Sequence, residues 1–125
     1  MNSRNKGAAA ERELARELRS MGIASARRGQ QHTGLEGKDV VGVPGVHIEC
    51  KRTERLNIHA AMAQSYRDAK TDPGGRDAEI HVVCHRRNNA PWLITCCLDD
   101  VIELGAKFWA AAQAHQIEPE EADHE

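Results

Sequence analysis

Apolar positions repeat at helical spacing early in the chain and alternate in its middle. Within "NKGAAAERELARELRSMG", Leu14, Leu18 and Met21 fall at i, i+4 and i+7. This stripe predicts an amphipathic helix over residues 6–21, ended by Gly22. The short strand-like run "IASARR" follows, and then a polar, glycine-dotted loop, "GQQHTGLEGK". "DVVGV" and "VHIECK" flank Pro44 and Gly45, a pattern that predicts two strands joined in a tight hairpin. Asn57 is placed to cap a second helix, "IHAAMAQSYRDAK", which stops before the breaker run "TDPGGRD". "AEIHVVCH" and "WLITCC" predict two further strands, and "LDDVIELGAKFWAAAQAH" a last amphipathic helix. The order α-β-β-β-α-β-β-α predicts an α/β fold with a mixed central sheet flanked by helices. No internal repeat is visible.

A chain of 125 residues fits one domain. The expected boundaries are 1–115, with the acidic segment "QIEPEEADHE", residues 116–125, as a disordered tail. The net charge of −2 conceals an asymmetry: residues 1–55 carry 11 Lys/Arg against 7 Asp/Glu, and residues 98–125 carry 1 against 8. The basic half is therefore the surface expected to meet an anionic partner. Arg4, Lys6, Arg12, Arg27 and Arg28 are its candidate phosphate contacts. Cys50, Cys84, Cys96 and Cys97 include no CxxC pair and follow no secretory segment. They read as reduced thiols of a cytoplasmic protein. In "HVVCH", strand alternation turns Cys84 away from His81 and His85, which disfavours a metal site there. No apolar run reaches membrane-spanning length, so no membrane partner is expected.

Two patterns place charged groups where alternation would put core residues or their close neighbours. Extending the helical stripe backward from Leu14 reaches Glu11, whereas Glu13 and Glu17 project from the other side. A carboxylate on a core-facing stripe needs a cation, a hydrogen-bond cluster or a metal; a helix-end position with a nearby arginine would also account for it. In "VHIECKR", His47, Glu49 and Lys51 share one strand face. Asp39 opens the preceding strand, and the hairpin brings it toward Glu49. Oxygen ligands beside a lysine suit Mg²⁺ and the hydrolysis of a phosphodiester. A cross-strand surface ion pair would give the same spacing.

"DVVGVPGVHIECK" resembles the PD-(D/E)XK nuclease core, in which an Asp starts one strand and (D/E)-x-K closes the next. "KGAAAEREL" is similar to the N-terminal helix of the small archaeal Holliday junction resolvases and their bacteriophage relatives. The likeness in order and spacing runs from about Lys6 to Thr95. It departs at Lys38, where the motif's name has a proline. The resemblance implies a restriction-endonuclease-like fold and a catalytic set of Glu11, Asp39, Glu49 and Lys51, with Gln64 as a supporting glutamine. It also implies metal ligation by Glu11, Asp39, Glu49 and the Cys50 carbonyl, with Mg²⁺ as cofactor and Mn²⁺ as a substitute. DNA contacts are expected from Lys6, Arg12, Arg27, Arg28, Lys38 and Arg52. The implied protein is a homodimeric endonuclease of branched or four-way DNA, cytoplasmic, in a bacterial host if phage-encoded. A nuclease of flap, nicked or linear duplex DNA, or a non-catalytic DNA-binding module, would share many of these residues.

Overall fold

The computed structural model describes residues 3–29, 39–70 and 80–123. Helix α1 spans Ser3–Ser20, and the short strands β1 and β2 span Arg27–Arg28 and Val40–Val41. Strand β3 is Val46–Arg52, helix α2 Ile58–Lys70, strand β4 Ile80–Arg86 and strand β5 Leu93–Thr95. A short 3₁₀ turn, Leu98–Asp100, leads into helix α3, Val101–Asp123. The fold is therefore mixed α/β, in the element order expected. The helical backbone of α3 includes residues 116–123, within the segment expected to be a disordered tail.

Helix α1 ends where Gly22 takes φ +105°. The Gly22 amide donates to the Arg19 carbonyl and the Ile23 amide to the Leu18 carbonyl, both at 3.0 Å. This paired closure satisfies the last carbonyls of the helix. It also moves Met21 out of the helix, and the expected stripe residue is 59% exposed. Ala10, Leu14, Ala15 and Leu18 form the buried stripe instead.

The five strands lie in the order β1-β2-β3-β4-β5. The pairs β1–β2, β2–β3 and β4–β5 are antiparallel, and β3–β4 is parallel with Glu49 opposite Val83. A turn centred on Pro44 and Gly45 closes the β2–β3 hairpin, with the Val46 amide donating to the Val43 carbonyl at 3.1 Å. Proline presets the first central φ, and Gly45 supplies φ +84° at the second. Gly42 has a steric role as well: a Cβ there would lie 2.6 Å from the Ala26 Cα.

Alternation along β3 and β4 separates two unlike sheet faces. Val46, Ile48, Ile80, Val82 and Cys84 join Leu14, Leu18, Leu104 and Ala111 in the apolar core beneath α1 and α3. The opposite face carries His47, Glu49, Lys51, His81, Val83 and His85, and α2 lies over it. Ala61, Ser65 and Ala69, one turn apart, form the buried edge of α2. Their small side chains let the helix approach a largely polar face, and the Ser65 hydroxyl donates to the Val82 carbonyl at 2.9 Å. The Asn57 side chain caps α2 by accepting the Ala60 amide hydrogen at 3.0 Å. Among the described residues, no helix is long and apolar enough to cross a membrane.

Candidate metal-binding acidic site

The hairpin places Asp39 beside the end of β3. Its amide donates to the Ile48 carbonyl at 3.1 Å, and its Oδ2 accepts the Cys50 amide hydrogen at 2.8 Å. Burial, followed by the nearby Glu49 carboxylate, pushes the Asp39 carboxyl up from 3.8 to about 7. Glu11 adds to that rise, while the Cys50 amide and Lys51 oppose it. A carboxyl held in this way takes up a proton or another cation more readily than an isolated aspartate does.

Glu49, only 3% exposed, is held at both oxygens. Its Oε1 lies 3.3 Å from His47 Nε2, and its Oε2 accepts from Gln64 Nε2 at 3.1 Å. Lys51 Nζ donates to Gln64 Oε1 at 3.0 Å. Gln64 thus bridges the carboxylate and ammonium that stand two residues apart on β3. The side-chain amide has a donor at one end and an acceptor at the other, so it can serve both neighbours at once.

Glu11 approaches from α1 and forms an ion pair with Arg28 Nε at 2.7 Å. Its side chain is 13% exposed. Glu11 therefore lies inside α1 rather than at its end, pairs with the strand residue Arg28, and through its charge raises the Asp39 carboxyl. Glu13 departs from expectation. It is half-buried and takes Arg52 Nε at 3.1 Å and Arg86 Nη1 at 2.8 Å, tying α1 to the ends of β3 and β4. Helical angle alone placed Glu13 away from the core, but the edge of the sheet extends beneath it.

The expected phosphate contacts divide into distinct groups. Lys6, Arg12 and Arg27 are exposed. Arg28 and Arg52 are instead occupied by Glu11 and Glu13, and Arg52 Nη1 also donates to Asn88 Oδ1 at 2.8 Å. Lys38 lies outside the described residues, as does all of the "GQQHTGLEGK" loop beyond Gly29; nothing is described of the Arg4 side chain. A groove of about 680 Å³ runs beside the acidic site, lined by Lys6, Arg16, Lys51, Arg52 and Glu13 among others. Arg16 is an addition to the sequence-based set. No family model, curated protein or solved structure matches this chain.

The cysteines take no part in the acidic site through their thiols. All four are free, and burial pushes the Cys50 thiol well up and that of Cys84 to about 12. Cys84 packs in the apolar core, on the face opposite His81 and His85. His47 and Asp68, whose ligand atoms lie within 4.8 Å of each other and of Glu49, were not singled out by sequence. The signals for them were the shared β3 face with Glu49 and the one-turn spacing from Gln64 on α2.

Proposed function

We propose that this chain is a divalent-metal-dependent DNA endonuclease with a restriction-endonuclease-like fold, acting on Holliday junctions or related branched DNA. The observation that carries the reading is the convergence of Asp39, Glu49, Gln64 and Lys51, with Glu11 nearby, beside a groove lined by basic residues. Hard oxygen donors around a carboxyl that resists carrying charge alone suit Mg²⁺, or Mn²⁺ in its place. Glu11, Asp39, Glu49 and the Cys50 carbonyl would hold the ion. When bound, it would polarise a phosphodiester and lower the pKa of water.

The chain's own residues supply the rest of the chemistry. Gln64 fixes Lys51 Nζ at one height above β3, from which the ammonium can stabilise charge developing on a phosphate oxygen. The Cys50 amide and Gln64 hold the two carboxylates in place before substrate arrives. Lys6 and Arg16 on α1 offer positive charge along the groove, with Lys51 on its β3 side, where Arg52 is paired with Glu13.

Two coordinated nicks in a four-way junction require two such clusters, so the working unit is proposed to be a symmetric homodimer. The exposed apolar side chains of Leu98, Ile102 and Trp109 offer an association surface. Four-way, flap, nicked and linear DNA incubated with Mg²⁺ or EDTA test the proposal. Paired symmetric nicks in the junction, absent with EDTA and with Glu49→Ala or Lys51→Ala, are the expected result. Cleavage of the other DNAs in preference would reassign the substrate. Binding without cleavage of any of them would leave a DNA-binding module.

A further inference from the structure

Glu49 has a second set of neighbours, on the side away from Gln64. His47 precedes it by two residues on the same face of β3, and Asp68 lies one turn beyond Gln64 on α2. One ligand atom from each of His47, Glu49 and Asp68 lies within 4.8 Å of the other two. Small adjustments of side-chain torsions would bring three such atoms around one ion.

His47 supplies an independent observation. Its side chain is completely buried; Nε2 lies 3.3 Å from Glu49 Oε1, and Nδ1, the other ring nitrogen, has no hydrogen-bond partner. Buried polar atoms are nearly always satisfied, and an exception marks a place where an ion or other ligand can complete the bonding. Glu49 is also buried, and Asp68 adds a second carboxylate to the same small volume. A divalent cation can bridge two carboxylates and uses imidazole as a neutral ligand.

The donor set selects the kind of ion. One imidazole and two carboxylates favour borderline ions such as Zn²⁺, Co²⁺ or Mn²⁺, whereas Mg²⁺ favours oxygen donors and retained water. We propose that His47, Glu49 and Asp68 form a binding site for a divalent transition-metal ion, separate from Asp39 and sharing Glu49 with it. Ion binding here requires neither DNA nor cleavage, so the site stands or falls independently of the nuclease reading.

Co²⁺ titrated into the full chain, followed by visible absorption, tests the assignment. The expected result is one Co²⁺ bound with a visible band, displaced by Zn²⁺ and retained in equal Mg²⁺. Asp68→Asn should weaken binding by roughly 10–100-fold, the usual cost of disturbing a metal site. Asp39→Asn should leave the band unchanged, which separates this site from the proposed Mg²⁺ site. His47→Gln should abolish the band; if circular dichroism shows that it does not fold, the half-buried Asp68 position carries the test. No band in the wild-type chain at millimolar Co²⁺ would overturn the assignment, as would equal affinity in wild type and Asp68→Asn. Loss of the band in Asp39→Asn would also overturn it.

Discussion

Asp39 and Cys50 are joined across the hairpin by a 2.8 Å hydrogen bond from the Cys50 amide to the Asp39 carboxylate. That bond keeps the carboxyl beside Glu49 although burial and the neighbouring charge disfavour its ionisation. The folded-state value of about 7 lies above the ordinary 3.8. Between those values the unfolded chain has released the proton and the folded chain retains it. The stability supplied by the neutral form is therefore complete below about pH 4 and is lost as pH rises toward about 7. Asp39→Asn should raise the thermal midpoint by about 2–6 °C at pH 8 in EDTA and change it little near pH 4. Mg²⁺ should stabilise the wild type more than the variant. Equal shifts at both pH values would contradict the electrostatic origin of the effect.

Gln64 is half-buried, so removing its amide should cost the fold little. On the nuclease reading, Gln64→Ala frees Lys51 and releases one oxygen of Glu49. Single-turnover cleavage should slow by roughly 10–100-fold while the Kd for DNA stays close to wild type. A weaker Kd with an unchanged rate would make Gln64 a binding residue instead.

Glu13 and Glu11 should separate stability from chemistry. Glu13→Gln weakens two partly exposed ion pairs, to Arg52 and Arg86, and should lower stability by about 1 kcal/mol in urea titrations. Its effect on the cleavage step should be small. On the nuclease reading, Glu11→Gln should impair metal-dependent cleavage more than it changes the urea midpoint, because its charge acts on the Asp39 carboxyl. The reverse ranking would show that Glu11 has only a structural role.

The adjacent arginines of β1 should behave differently. Arg27 is exposed, whereas Arg28 is engaged by Glu11. Arg27→Ala should reduce the salt dependence of DNA binding by about one phosphate contact. Arg28→Ala should leave that slope nearly unchanged and reduce cleavage, since Glu11 loses its partner. Fluorescence anisotropy at several salt concentrations, beside a cleavage assay, distinguishes the two.

The proposed dimer can be tested away from the acidic site. Ile102 is 83% exposed and Trp109 69% exposed on α3. Ile102→Asp with Trp109→Asp should shift sedimentation toward monomer and reduce paired nicking, with little effect on single nicks. Unchanged sedimentation of an associating chain would place the dimer surface elsewhere.

Alternation in "VHIECKR" was sufficient to put Glu49 and Lys51 on one face, and Pro44-Gly45 was sufficient to turn Asp39 toward them. These are short-range features, and period and turn chemistry encode them locally. The neighbours supplied by other elements were harder to read. Glu13 meets Arg86 across 73 positions of sequence, and no local periodicity reports such a contact. Met21 failed as a core residue because the Gly22 closure ended the helix before it. His47 has the right alternation, but the sequence alone gives no sign that its side chain is completely buried.

The four-residue turn from Val43 to Val46 also bears on the order in which this protein assembles. A hairpin with so short a connection forms within microseconds, whereas parallel pairing of β3 with β4 must await closure over the long α2 crossover. Asp39 and Glu49 therefore belong to the early, local part of the folding process, and Gln64 arrives with the later, nonlocal part. If the proposed metal site is right, a cation present during folding can engage the first pair of carboxylates before the helix that holds one of them in place has docked.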